Sequence, residues 1–97
     1  MIGNFRRILW YVFATSRGGP TRIKIIELIL KRPYNMNQLS TTLKMDYKTI
    51  QHHIKILEDN KIIVPEEKKY GTIYFPSRMF EDVIGEFEEI KKKMGEK

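Results

Sequence analysis

The chain has 97 residues, enough for one small domain with a modest core and too few for a second core. Its composition, 41% hydrophobic and 31% charged, is typical of a soluble globular protein rather than a disordered one. The absence of cysteine excludes disulfides and thiolate metal sites. The longest apolar run, Ile8 to Ala14, is too short to span a bilayer and is not followed by a cleavage site. We therefore expect a single cytoplasmic domain over residues 1–97.

The positive charge is concentrated in the first part of the chain. The net charge is +6, but residues 1–57 carry ten Lys and Arg against two Asp and Glu, or +8. Residues 58–97 carry eight against ten, or −2. This distribution favours a surface in the first part that binds phosphate, although charge alone is equally compatible with lysines that solvate a small domain.

Three helices are predicted before residue 45. The first, over residues 4–16, is apolar almost all round because Trp10 and Tyr11 flank its main apolar face. Such a helix must be covered on more than one side. After a Gly-Gly-Pro break, a second helix is predicted from about Pro20 to Lys31. The third is short, with Asn35 or Asn37 as its N-cap.

The fourth predicted helix, from about Tyr47 to Asp59, has two different faces. An apolar stripe repeats at i, i+4 and i+7 and consists of Ile50, Ile54 and Leu57. A second stripe has no apolar member and consists of Lys48, Gln51, His52 and Lys55. A helix with an apolar back and a front of hydrogen-bond donors, preceded by a short partner helix, has the form that lies in a DNA major groove.

A β-hairpin and a last helix complete the predicted fold. The strands are Ile62 to Val64 and Thr72 to Phe75, separated by a polar tip over residues 66–71. The last helix begins after Pro76, with Ser77 as its cap, and runs to about Met94. The predicted fold class is mainly α with a small β-hairpin, in the order α-α-α-α-β-β-α. This is the layout of a winged helix-turn-helix domain.

The run TIQHHIKILEDNKII, residues 49–63, resembles the recognition-helix signature of ArsR-like winged helix-turn-helix transcription regulators. That signature has a small hydroxyl residue, an aliphatic, a polar pair ending in His, an aliphatic, a basic residue and a leucine. Residues 17–54 are similar to a group of small archaeal members that have an aromatic-rich first helix, as residues 9–13 do here. The resemblance covers the chain from about Leu9 to Phe75 and implies a regulator that binds double-stranded DNA.

This chain departs from the metal-sensing members of that family. Those members carry cysteines on the helix before the recognition helix, or carboxylates and histidines on the last helix. Residues 39–44 contain no cysteine here, and residues 77–97 contain no histidine. We therefore predict no metal site and no cofactor, and no small-molecule effector is evident.

The outward face of the fourth helix is the predicted DNA-reading surface. Lys48 can donate to guanine and Gln51 can pair with adenine, whereas Lys55 lies further along and is better placed for phosphate. Tyr47 and Thr49 lie at the helix start, where hydroxyl and backbone N–H groups can bind a phosphate. The alternative is an ordinary solvated helix face.

The hairpin tip is a second candidate DNA contact. Lys68, Lys69 and Tyr70 can reach the adjacent minor groove or its phosphates. The alternative is a charged edge strand that resists aggregation, and the neighbouring Glu66 and Glu67 weaken the DNA interpretation.

The two adjacent histidines have different predicted roles. Neighbouring residues on a helix point about 100° apart, so His52 and His53 cannot chelate one ion well. His53 is predicted to lie on the inner edge beside Ile50 and Leu57, whereas His52 faces outward. If His52 touches phosphate, its protonation should strengthen DNA binding slightly as the pH falls.

The first and last helices are predicted to form a two-fold interface. The last helix has apolar residues spaced three and four apart, which is typical of a short heptad seam, and its alternative is packing on its own domain. Residues 1–16 and 77–94 are the predicted dimerisation elements. The predicted contact residues are Phe5, Leu9, Val12, Phe80, Val83, Phe87, Ile90 and Met94.

The sequence therefore predicts a homodimeric, sequence-specific double-stranded DNA-binding transcription regulator. The alternative is a winged-helix protein–protein interaction module without DNA binding, which need not concentrate positive charge around its helix-turn-helix. An enzyme is not expected, because the chain has no cysteine nucleophile and no phosphate-cradling glycine loop. It also has no histidine with carboxylates at a working spacing.

Overall fold

A computed structural model describes residues 2–69 and 71–95, without the side chain of Ile2. The helices are α1 (Ile2–Trp10), continued by a π-helical segment (Tyr11–Thr15), then α2 (Gly19–Lys31), α3 (Met36–Leu43) and α4 (Tyr47–Asp59). An antiparallel hairpin of β1 (Ile63–Lys68) and β2 (Gly71–Pro76) follows, and α5 (Arg78–Asp82) and α6 (Ile84–Gly95) complete the order. The predicted fold class, a winged helix-turn-helix, is confirmed. Within the described ranges, no helix is long and apolar enough to cross a membrane.

Local capping defines the helix-turn-helix. Asn35 Oδ1 accepts a hydrogen bond from the Gln38 backbone N–H at 2.7 Å, and Gln38 Oε1 accepts one from the Asn35 N–H at 2.9 Å. This reciprocal capping box makes Asn35, rather than Asn37, the N-cap of α3. Lys44 ends α3 in the left-handed region, at φ 56°. Asp46 then caps α4 by accepting from the Thr49 N–H at 3.3 Å, as predicted.

The wing is longer than the sequence predicted. Pairing continues beyond Val64 through Lys68 opposite Gly71, so the predicted six-residue tip over residues 66–71 is wrong. Gly71 begins β2 at φ 125°, a conformation that favours glycine. Pro65 is tolerated because β1 is an edge strand of the two-stranded sheet. The free edge of β2 is closed by an isolated bridge in which the Tyr74 N–H donates to the Tyr34 carbonyl at 2.9 Å.

The first helix changes its winding halfway along. The α-helical hydrogen bonds of α1 give way to a π-helical turn, and the Ser16 N–H donates to the Tyr11 carbonyl at 3.0 Å. The predicted helix over residues 4–16 is therefore present, and its second half is π-helical. Val12 and Phe13, which lie in this segment, are both completely buried.

The last helix is divided in two. Val83 interrupts it at φ −123° and ψ 31°, between α5 and α6, so the predicted single helix from Ser77 to about Met94 is wrong. Phe80 and Phe87, on either side of the break, pack together at 5.4 Å between ring centroids, with an interplanar angle of 70°. Phe87 also packs edge-on against Phe13 at 5.0 Å. The seam residues thus form an aromatic cluster with the first helix of the same chain.

Most of the predicted dimerisation residues belong to this intramolecular core. Their side chains are at most 5% exposed in the single chain, so they pack against their own domain and present almost no surface to a partner. They are Phe5, Leu9, Val12, Phe80, Phe87 and Ile90. The other two, Val83 and Met94, are partly buried against the core.

Polar contacts also join α1 to α6 within the chain. The Trp10 indole N–H donates to Glu86 Oε2 at 2.6 Å, and Arg6 lies 3.4 Å from Glu86 Oε1. These contacts tie the two helices together along the edge of the aromatic cluster. The alternative interpretation of the last helix, that it packs on its own domain, describes this arrangement.

We expect the substitution Phe87→Ala to destabilise the protein by about 3–5 kcal/mol, because it removes a buried ring that contacts two other rings. Denaturant unfolding measures the loss. Met79→Ala is the control, because Met79 is 50% exposed and its truncation should cost well under half as much. Equal losses in the two variants would show that the aromatic cluster does not hold α5 and α6 on the first helix.

Candidate nucleic-acid interface

The fourth helix presents one continuous polar face to solvent. Its apolar stripe is buried, with Ile50 and Leu57 at 0% and Ile54 at 2% exposure. The opposite side chains are all exposed, and we call them the recognition face: Lys48, Gln51, His52 and Lys55. The structure brings these four predicted residues together on one side of α4. Burial of the stripe leaves them free to meet a ligand.

The two lysines of the recognition face differ in their neighbours. Lys55 Nζ lies 3.2 Å from Asp59 Oδ2, one helical turn further on, so part of its charge is already compensated. Lys48 has no carboxylate within 4.0 Å among the described residues. The charge of Lys48 is therefore less compensated than that of Lys55 and is more available to an anionic ligand.

The start of α4 is already engaged by the chain itself. The Thr49 hydroxyl donates to Asp46 Oδ2 at 2.8 Å, and the Thr49 backbone N–H bonds to the same oxygen. A carboxylate therefore occupies the position where a phosphate was predicted to bind. Tyr47 differs, because its side chain is 44% exposed and its hydroxyl makes no hydrogen bond within the described part of the chain.

The wing carries both signs of charge. Lys68 lies in β1, not at the tip, and its Nζ is 3.1 Å from Glu66 Oε2. Glu67 Oε2 accepts a hydrogen bond from the Thr72 hydroxyl across the hairpin at 3.1 Å. Lys69 is exposed in the turn, and Tyr70, also predicted at the tip, lies outside the described residues. Internal pairing thus uses part of the positive charge predicted for the wing.

A cleft of about 290 Å³ joins the wing to the helix-turn-helix. It runs between β2 and the starts of α3 and α4. Its lining includes Asn35, Asn37, Tyr47, Thr72 and Tyr74. Burial first, and then the nearby carboxylate of Glu58, raise the pKa of Tyr74 above its ordinary 10. The cleft places Tyr47 beside the wing, in the same concave surface.

The sequence count overstates the positive charge at this surface. Of the ten basic residues before position 58, Arg22 is 2% exposed and faces the interior. Arg6 is paired with Glu86 where α1 meets α6, so part of its charge is already compensated. The other basic residues before position 58 still outnumber the acidic residues of the same segment, which are Glu27 and Asp46.

His53 lies on the inner edge of α4 and is only 7% exposed, as predicted. Its Nδ1 is 3.0 Å from Nη1 of Arg22, a residue whose role the sequence analysis missed. A guanidinium can only donate, so Nδ1 accepts and the imidazole is neutral with its proton on Nε2. Burial first, and then the positive charges of Arg22 and His52, lower the pKa of His53 below its ordinary 6.5.

A signal for the burial of Arg22 is present in the sequence. Arg22 precedes Ile25, Ile26 and Ile29 at the spacing i, i+3, i+4 and i+7, so it lies on the buried stripe of α2. An arginine on an apolar stripe needs several acceptors around it. Those acceptors come from other segments, so only the three-dimensional structure identifies them.

Comparison with known proteins agrees with this geometry. Residues 19–63, slightly less than half of the chain, match the family described as "Bacterial regulatory protein, arsR family". This match contains α2, α3, α4 and the first residue of β1. A search of curated proteins finds no match.

Solved structures share the fold at low sequence identity. The homodimeric winged helix-turn-helix DNA-binding domain Mb0332 of Mycobacterium bovis, a possible ArsR-family transcriptional regulator, is 16% identical, with a TM-score of 0.74 over 98% of this chain and 82% of that one. HlyU of Vibrio cholerae is 15% identical, with a TM-score of 0.73 over 91% and 92%. The archaeal ST1889 protein of Sulfolobus tokodaii is 14% identical, with a TM-score of 0.58 over 97% and 94%.

We expect the stability of the protein to fall in acid through His53. Because its pKa is lowered in the folded state, the unfolded chain takes up the proton first as the pH falls through 6.5. The part of the free energy of unfolding that depends on neutral His53 is present above that pH. It is lost below that pH, by at most about 1.4 kcal/mol per pH unit. Denaturant unfolding between pH 8 and pH 4.5 should show a shallower decline for His53→Asn, which keeps an acceptor near Nδ1 and does not titrate.

The matched control is the same substitution at the neighbouring exposed histidine. His52→Asn should retain the decline of the wild-type protein. If His53→Asn lost stability with falling pH as steeply as His52→Asn does, His53 would not be the titrating group.

Proposed function

We propose that this protein is a homodimeric, sequence-specific double-stranded DNA-binding transcription regulator of the ArsR type. The observation that carries the proposal is the recognition face of α4, which is exposed while the opposite stripe is buried against the core. The match of residues 19–63 to the arsR family supports a DNA-binding regulator. Such a regulator acts where its DNA is, so a cytoplasmic location is part of the same proposal. The aromatic first helix keeps the small archaeal type as our expectation.

We assign different tasks to different parts of the interface. Gln51 and Lys48 lie in the first two turns of α4 and suit base edges, because an amide can pair with adenine and an ammonium can donate to guanine. Lys55, one turn further on, suits phosphate, as do Tyr47 in the cleft and Lys68 and Lys69 in the wing. Phosphate contacts supply affinity, and base contacts supply the choice of sequence.

The proposed homodimer uses the outer faces of the terminal helices. Their inner faces are occupied by the core of the single chain, so a partner can meet only what remains outside. Tyr11, at 62% exposure, is the largest exposed apolar side chain on the first helix, and Val83 and Met94 are partly buried near the last one. The Mycobacterium bovis domain is homodimeric, and its similarity in fold supports this assembly.

Binding to duplex DNA should weaken steeply with salt. Each phosphate that is neutralised contributes about −0.9 to the slope of log K against log salt, so Lys48 and Lys55 alone predict a slope of about −2 or steeper per protomer. Fluorescence anisotropy with a labelled duplex, from about 50 to 200 mM salt, measures it. A protein–protein interaction module would show no binding to titrate, and that result would reject the DNA-binding function.

The substitutions Gln51→Ala and Lys55→Ala should have different effects. Loss of Gln51 should relax base preference at one position, by about 1–3 kcal/mol of discrimination. Loss of Lys55 should weaken binding to all sequences alike and reduce the salt slope by about one. Competition binding among duplexes that differ at single positions separates the two effects.

Lys24→Ala is the matched control for these variants, because Lys24 is an exposed lysine on α2 and not on the recognition face of α4. It should leave affinity, base preference and salt slope unchanged. If Gln51→Ala and Lys55→Ala both lowered affinity uniformly, the proposed division of labour on the recognition face would be wrong.

A further inference from the structure

The buried guanidinium of Arg22 is neutralised by no carboxylate in the part of the chain that the structure describes. Nε donates to the Val12 carbonyl at 3.0 Å, and Nη2 donates to the Ser16 hydroxyl at 2.6 Å and the Arg17 carbonyl at 3.0 Å. Nη1 donates to His53 Nδ1 at 3.0 Å. All four acceptors are uncharged, so the positive charge of a side chain that is 2% exposed is held by dipoles alone.

This one side chain connects four segments of the fold. It starts on α2, and its acceptors lie in the π-helical segment, in the turn before α2 and on α4. Among the described residues, its bond to His53 is the hydrogen bond that joins side chains of α2 and α4. His53 lies on the inner edge of the same helix whose outer side carries the recognition face. The bond therefore links the helix that carries the recognition face directly to α2.

The backbone of Gly18 lies beside both His53 and Arg22. A Cβ placed on Gly18 would lie 2.8 Å from His53 Cε1 and 3.0 Å from Arg22 Nη1, so only glycine fits next to the pair. Gly18 can do so because it adopts φ +90°, in the left-handed region. The turn before α2 and the helix α4 therefore approach each other closely at this pair.

We propose that Arg22 is a positioning residue for α4, that its hold depends on a neutral His53, and that protonation of His53 weakens DNA binding. A proton on Nδ1 would replace an acceptor by a donor facing a donor. It would also place two positive charges about 3 Å apart in the protein interior, where their mutual repulsion is much stronger than in water. The charged groups that face His53 are Arg22 from α2 and His52 from α4, and both oppose its protonation.

This inference rests on the proposed function and opposes the effect expected of His52. Protonated His52 on the recognition face would strengthen binding in acid, whereas protonated His53 would weaken it. The effect of His53 is therefore measured in proteins that lack His52. The two proteins compared are the variant His52→Asn and the double variant His52→Asn with His53→Asn.

The first experiment measures affinity for a labelled random-sequence duplex of about three helical turns, from pH 8 to pH 5 at constant ionic strength. The His52→Asn protein should lose affinity in acid, towards a limiting slope of about tenfold per pH unit, because one proton must leave His53 for DNA to bind. The double variant should show a shallower profile. Identical profiles in the two proteins would overturn the inference.

The second experiment does not depend on DNA. Nitrogen chemical shifts of the imidazoles should show His53 neutral with its proton on Nε2, and the backbone amides of α4 should shift together as His53 titrates in acid. The His53→Asn protein should lack these shifts. If His53 titrates while the amides of the recognition face do not respond, the coupling is absent and the inference fails, even if the protein binds DNA. If the amides respond but no DNA binds at any pH, it is the proposed function that fails.

Discussion

The structure depends on the burial of one stripe of α4. Ile50, Ile54 and Leu57 lose nearly all their exposure, and at about 25 cal/mol per Å² such burial is a main favourable term in a domain of this size. Because successive helical residues are 100° apart, burying that stripe turns the four polar residues of the recognition face outwards. The rest of the fold provides the surfaces against which α4 packs: α2 and α3 on one side and the wing on the other.

The last helices bury the apolar surface of the first helix within the same chain. A first helix that is apolar on most sides needs cover, and Phe80 of α5 and Phe87 of α6 supply part of it by packing against Phe13. Arg22 shows how closely this cover is linked to α4. The guanidinium bonds to carbonyls of the first helix and of the turn, and it also holds His53 of α4. The element proposed to read DNA is thus connected by a buried charge to the elements that stabilise it.

Local signals predicted the parts of the fold that local physics controls. The bounds of α4 follow from the Asp46 cap and from the apolar repeat, and both were correct. The features that the sequence did not predict depend on distant partners. Strand β1 extends past Pro65 because Thr72 and Ile73 pair with it, against the low β-propensity of its glutamates. Phe80 and Phe87 could form a seam or a core, and only the position of Phe13 decides between them. The acceptors of Arg22 come from three segments that meet only in the folded chain.

The most direct test of the account is selection of bound sequences from random duplex DNA with the full chain. If the recognition face reads base edges and the protein binds as a homodimer, the recovered sites should be two-fold symmetric, with half-sites about one helical turn apart, roughly 34 Å. Enrichment of such a site would support both the DNA-reading role of the recognition face and the homodimer. Recovery of no preferred sequence would contradict the claim that the exposed face of α4 reads DNA, and recovery of a single unpaired half-site would contradict the homodimer.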